Sequence, residues 1–194
     1  MLPNFLSSDK LFLELYPKEF RQNDQIHFTP LEVTRRASHF LATQVGEKIL
    51  DIGSGIGKFC IPAAMMHKQQ NFYGIEIRKD LLDTATEIQH KLSINNVNMI
   101  NGDIIQHNLS NYDHFYFFNA FYEQQDDAEK LDRELIFKSS LYRKYHAHVY
   151  RELDKKPIGT KLATFFSQAD LFPPSYIEVE QHFDHKLIHL MKIE

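Results

Sequence analysis

The chain has 194 residues, of which 43% are hydrophobic and 25% charged, enough to bury the core of one compact domain without covalent staples. Its formal net charge of -4 excludes a global attraction to nucleic acid or to an anionic membrane, and the sequence gives no strong nucleic-acid signal. The single cysteine, Cys60, excludes an internal disulfide and reads as a small buried hydrophobe on a helix.

The amino terminus carries no basic stretch followed by an apolar run, and the most apolar later segment, 114–122, is too short to cross a bilayer. The expectation is a cytoplasmic protein without a membrane partner. Residues 1–28 mix apolar and charged side chains and are expected to form an appended helix or lid on a main domain of 29–194.

Thr29, Pro30 and Glu32 spell a helix start, with Thr29 as N-cap, Pro30 in the first helical position and Glu32 closing a capping box. Phe28 and Val33 are placed to form a hydrophobic staple. Val33, Ala37, Phe40 and Leu41 then recur at helical spacing. A short apolar strand follows at 48–52, then a glycine turn and a helix over 56–68. Next come a strand at 72–76, a helix with Leu81, Leu82, Ala85, Ile88 and Leu92 on its apolar face, and strands at 97–100 and 115–118.

Residues 124–156 read as two charged helices broken near Ser139 and Ser140. Strands are expected at 160–166, 176–181 and 186–193, the last two so close that they pair only as an antiparallel hairpin. Alternating strands and helices of these lengths predict an α/β fold with a mostly parallel, doubly wound sheet.

The stretch Asp51-Ile52-Gly53-Ser54-Gly55-Ile56-Gly57-Lys58 carries the chemistry. Glycines at 53, 55 and 57 permit backbone angles and a close ligand approach that side chains forbid. A dinucleotide fingerprint wants a further glycine where this chain has Lys58, and it serves a pyrophosphate. Asp51 before the glycines suits a positively charged ligand instead.

This pattern resembles the first motif of class I S-adenosylmethionine-dependent methyltransferases, and the resemblance covers about residues 28–123. It implies a Rossmann-like, seven-stranded sheet with an antiparallel C-terminal hairpin. It also implies S-adenosylmethionine as cofactor, contacted by the loop residues Asp51, Gly53, Ser54, Gly55 and Gly57. Glu76, ending the second strand beside Ile77, corresponds to the acid that accepts hydrogen bonds from the ribose hydroxyls. Gly102, Asp103 and Ile104 correspond to the adenine-contacting segment. Phe28-Thr29-Pro30 matches a leader found in several such families, in which Thr29 contacts the methionine carboxylate; capping explains Thr29 equally well.

The fourth strand of this family faces the transferable methyl, and here it ends Phe117-Phe118-Asn119-Ala120-Phe121-Tyr122-Glu123. Asn119, as cofactor and acceptor contact, and the aromatic walls Phe121 and Tyr122 are the candidate catalytic residues, because direct displacement needs mainly alignment. The block shares Asn119 and Tyr122 with the Asn-Pro-Pro-Tyr amino-methyltransferases but lacks both prolines. The glycine loop and leader are nearest in pattern to non-SET protein-lysine methyltransferases.

Glu123, Asp126, Asp127 and Glu129 follow the block and would attract a basic peptide or amine, whereas Lys130 to Lys161 carries more bases than acids and could instead recruit an acidic partner. The favoured acceptor is a protein lysine or another amine. Nucleobase or small-molecule methylation, binding of the cofactor without turnover and a nicotinamide oxidoreductase are the alternatives. His146 and His148, and His182, His185 and His189, join no cysteine or carboxylate pattern of ligand type, so no metal is expected.

Overall fold

The computed structural model describes residues 3–21, 28–118, 120–121, 139–167 and 171–194. Its strands are β1 (Lys48–Ile52), β2 (Asn71–Glu76), β3 (Val97–Asn101), β4 (His114–Phe118), β5 (Lys161–Phe165), β6 (Tyr176–His182) and β7 (Leu187–Lys192). They form one seven-stranded sheet in the order β3-β2-β1-β4-β5-β7-β6. Strands β1 to β5 pair in parallel, while β7 runs antiparallel between β5 and β6. The doubly wound sheet with a terminal hairpin is thus the observed architecture. Strand order reverses between β1 and β4, so a crevice opens at their carboxyl ends, where α/β sheets bind ligands.

Helices α1 (Asp9–Leu13), α2 (Lys18–Arg21), α3 (Leu31–Leu41), α4 (Cys60–Met66), α5 (Lys79–Lys91) and α6 (Ser139–Asp154) complete the described elements. Alternation along the strands divides the core in two. Ile49, Phe72 and Tyr116 pack with α3, α4, α5 and the N-terminal residues Leu6, Phe12 and Tyr16. Leu50, Ile52, Phe115 and Phe117 pack with Val149 and Leu153 of α6 and with Leu109. Among the described residues no helix is long and apolar enough to cross a membrane.

The capping box at Thr29 does not form. Pro30, in extended conformation, is the N-cap of α3 and offers no side-chain bond. The Leu31 amide instead donates to Asp9 Oδ1 at 2.9 Å, while Glu32 pairs along the helix with Arg35 and, at 3.1 Å, with Arg36. A carboxylate arriving from α1 replaces the local cap.

The helix expected over 56–68 is confined to Cys60–Met66. Gly53, Gly55 and Gly57 all have positive φ, and the alternation of left-handed glycines with ordinary residues keeps the chain from helical geometry until the loop is passed. Of the two helices expected in 124–156, α6 is observed, and the stretch 124–138 lies outside the described residues.

Candidate functional site

The glycine loop is held by its neighbours rather than by itself. The Gly53 and Ser54 amides both donate to the Ile75 carbonyl at 3.0 Å, tying the loop to the end of β2. Glu76 then takes the Gly55 amide on one carboxylate oxygen and the Arg78 amide on the other, each at 2.9 Å. A carboxylate offers about four acceptor positions, and these two bonds aim the group along the sheet edge. Asn101 donates its side-chain amide to the carbonyls of Glu76 and Ile77, at 3.0 and 3.2 Å, joining the ends of β2 and β3. Asp103 accepts the Ile105 amide at 3.0 Å and caps a short 3-10 turn that begins at Ile104.

Two cavities meet at Gly53. The larger, about 180 Å³, is lined by Gly53, Glu76, Ile77, Gly102, Asp103 and Ile104 from the sheet edge. Its far wall is Ala120, Phe121, Leu141 and Tyr145. The smaller is lined by Thr29, Asp51, Gly53, Ser54, Gly55 and Lys58 together with Phe28, Phe59 and Phe118. Every expected cofactor contact in the described residues borders one of the two except Gly57, which packs inward against Met99, Ala85 and Ile61. Asn119 and Tyr122 lie outside the described residues.

The smaller cavity is electrostatically unusual. Asp51 is buried, and desolvation lifts its carboxyl from 3.8 to about 8, with the charge of Glu76 adding to the rise. The Cys60 thiol donates to Asp51 Oδ2 at 3.6 Å and opposes the shift without cancelling it. The same contact and burial push the thiol well up, so Cys60 is an inert buried donor. Thr29 shares a hydrogen bond of 3.1 Å with the buried Tyr116 hydroxyl. Lys58, which stands where a dinucleotide fingerprint has glycine, is 1% exposed and reaches Asp9 at 3.4 Å.

The far wall of the larger cavity joins Phe121, expected from the sequence, to Leu141 and Tyr145, which the sequence pattern did not single out. Tyr145 of α6 stacks on Phe121, with ring centroids 5.0 Å apart and planes at 21°. Burial raises the Tyr145 hydroxyl above its ordinary value, and the nearby Asp103 adds to this. Leu141 and Tyr145 are four apart on the face of α6 that continues to Val149, a periodicity legible in the sequence but without a partner until the fold supplies one. Phe121 is buried and also meets Phe117 edge-on at 5.4 Å.

The residues present fit the cofactor that the loop implies. A Cβ built on Gly53 would fall 2.7 Å from the Ala120 Cβ, so position 53, which borders both cavities, has no room for a side chain. The donor set is also apt: carboxylates at the ends of three neighbouring strands, one in a dry cavity, suit hydroxyls, an amine and a cation better than a diphosphate.

A methyltransferase domain family model matches residues 43–155. A tRNA (guanine-N(7)-)-methyltransferase of Synechocystis sp. is 36% identical over 72 residues, which are 37% of this chain and 31% of that protein. Its counterpart in Synechococcus sp. is 38% identical over 55 residues, 28% of this chain and 23% of that protein. The matched stretches thus span less than a third of these relatives. Among solved structures, an RNA methyltransferase from Salinibacter ruber in complex with S-adenosyl-L-homocysteine aligns with a TM-score of 0.58 and 20% identity, covering 86% of this chain and 94% of that one. TrmN from Thermus thermophilus aligns with a TM-score of 0.62 and 13% identity over 89% of this chain and 51% of that one.

These relatives correct the sequence reading of the acceptor. Net charge gave no nucleic-acid signal, and the acidic cluster after the fourth strand with the lysine-methyltransferase resemblance favoured a protein or small amine, whereas the matched relatives are transfer-RNA enzymes. Net charge sums the whole surface and is blind to a local patch of the opposite sign. The nicotinamide alternative is set aside with the family match. The chain belongs to the methyltransferase domain family and carries a class I, S-adenosylmethionine-dependent methyltransferase domain.

Proposed function

We propose that this protein methylates a ring nitrogen of a nucleobase in RNA, with guanine in transfer RNA as the first substrate to test. The observation that carries the reading is on α6. Arg143, Lys144, Tyr150 and Arg151 are exposed, and spacings of seven and eight residues hold them on adjoining stripes of one helical face. The same helix sends Leu141 and Tyr145 into the cavity wall. Cations with an interleaved aromatic ring track a nucleic-acid backbone and stack on its bases. The two relatives named tRNA (guanine-N(7)-)-methyltransferase point to the same acceptor class.

When bound, S-adenosylmethionine supplies a methyl group on a sulfonium that leaves as a neutral thioether. In this reading Glu76 and Asp103 orient the nucleoside part from the sheet edge, and Asp51 and Thr29 face the methionine end. Phe121 walls the reacting region, and Asn119 and Tyr122 remain candidates for it by the family resemblance alone. The protein contributes alignment of the acceptor lone pair with the methyl carbon and exclusion of water, which suffices for direct displacement.

Transfer of labelled methyl to bulk transfer RNA, followed by nucleoside analysis, tests the proposal. The expected result is one methylated nucleoside, and an Arg143→Glu, Lys144→Glu double variant that loses RNA methylation and flattens its salt dependence while binding S-adenosylmethionine as before. Transfer to basic proteins or small amines with none to RNA would overturn it.

A further inference from the structure

We propose that Glu180, His182 and His189 form a zinc site between the C-terminal hairpin and α3. Linear spacing gave no reason to group them, but the hairpin does. Glu180 stands directly across from His189 in the β6–β7 ladder. A register shift between Glu178 and Glu180 marks an irregularity of the kind that re-aims side chains. His182, two residues further along β6, projects to the same side as Glu180. One ligand atom from each of the three lies within 4.8 Å of the others, the only such group among the described residues.

The donor geometry suits a single cation held by the carboxylate and the two imidazoles, with one ligand atom from each. His182 Nε2 lies 3.2 Å from Glu180 Oε1, and His189 Nδ1 lies 3.1 Å from Glu180 Oε2. Tetrahedral zinc with bonds of about 2.0–2.2 Å places neighbouring donors roughly 3.3–3.5 Å apart, so an ion can replace the shared protons with small side-chain movement. Two imidazoles and one carboxylate favour zinc over magnesium or calcium, which prefer all-oxygen shells.

The site is also built. His189 is 1% exposed and its ring is clamped flat against Phe40 of α3, with centroids 4.3 Å apart and planes at 3°. That stacking fixes the direction of Nδ1, since Nε2 is buried without a hydrogen-bond partner and orients nothing. The turn that returns β6 to β7 runs through Phe183, Asp184 and His185, all at positive φ, and locks the two strands in register. Glu180 is half exposed and gives the ion an entry path.

Among the described residues Arg36 opposes the site. Its Nη1 lies 3.4 Å from His182 Nδ1, and a metal on Nε2 requires a hydrogen on Nδ1, which a guanidinium cannot accept. Zinc entry therefore releases Arg36 to Glu32, already 3.1 Å away, and to the Phe183 ring, 5.6 Å away. Arg36→Gln turns this opponent into an acceptor for the Nδ1 hydrogen and removes its charge, so it should tighten zinc binding, as a partner to the far nitrogen of a ligating histidine does.

Equilibrium dialysis of the full chain against zinc, with cobalt(II) absorption as the spectroscopic readout, tests the site. The expected result is one saturable equivalent with the visible bands of a four-coordinate ion. His182→Ala should weaken binding by about tenfold or more and Arg36→Gln should strengthen it, with S-adenosylmethionine affinity unchanged in both. Thermal unfolding in zinc should shift upward for the parent and not for His182→Ala. Binding that is absent, or unchanged by His182→Ala and Glu180→Ala, overturns the proposal, because any remaining zinc then sits on other histidines.

Discussion

The carboxylate of Glu76 and the amide of Gly55 are joined at 2.9 Å, so the acid at the end of β2 also fixes the glycine loop that follows β1. One side chain thereby couples loop shape to ligand contact. Glu76→Gln retains one acceptor oxygen and should preserve the fold while weakening S-adenosylmethionine binding. Glu76→Ala releases both the Gly55 and Arg78 amides, and should cost about 10–100-fold in affinity, the worth of a charged hydrogen bond. Calorimetric titration of the two variants checks the order; equal affinity in the parent and Glu76→Ala would detach Glu76 from the site.

Gly57→Ala separates loop conformation from ligand contact. Gly57 has φ +78°, and an added Cβ would lie 2.8 Å from Met99 Cε and 3.1 Å from both Ala85 Cβ and Ile61 Cδ1. Left-handed strain and overpacking act together, so the variant should lose about 2–4 kcal/mol of stability. Urea unfolding measures this, and a midpoint within error of the parent would show that the loop is free to rebuild.

The legible parts of the molecule are those whose cause is local. An apolar strand, spaced glycines and an acid at the next strand end stand close together in sequence, so β1, its loop and Glu76 were placed correctly from the residues alone. The same logic failed at Thr29, because the competing cap, Asp9, arrives from 22 residues upstream and its advantage exists only after α1 has packed. Tyr145 had the right periodicity on α6, but nothing local says which wall a helix face will meet. Glu180, His182 and His189 converge through strand register, which no spacing rule reads across a turn. Asn119 and Tyr122 rest on the family resemblance.

Asp9 links the N-terminal segment to the site. Its Oδ1 accepts the first amide of α3 and also meets the Lys58 ammonium at 3.4 Å. Asp9→Ala removes a helix cap and should destabilise by about 1 kcal/mol on that account alone. Asp9→Asn keeps an acceptor for the Leu31 amide but not the charge facing Lys58. If the Asn variant recovers the thermal midpoint but not S-adenosylmethionine affinity, the Lys58 contact is the one that matters for the cavity; recovery of both would make Asp9 a cap and nothing more.

Asp51 makes both stability and binding depend on pH. Its carboxyl titrates near 8 in the folded chain against 3.8 ordinarily, so between about pH 4 and 8 the native state holds a proton that the unfolded state has released. Stability falls with rising pH wherever the native state binds more protons. This group therefore stabilises least at the alkaline end of that window, and Asp51→Asn, which cannot ionise, should abolish its share of the slope. Urea midpoints at pH 5 and pH 8 for the two proteins measure it. A cation arriving in the small cavity favours the carboxylate and lowers its pKa, so binding at pH 7 should expel a proton from Asp51. Calorimetry in buffers of different ionisation enthalpy counts that proton. The ligand's own amine contributes equally to both proteins, so the parent should release nearly one proton more than Asp51→Asn; equal counts would place the positive end of the ligand away from Asp51.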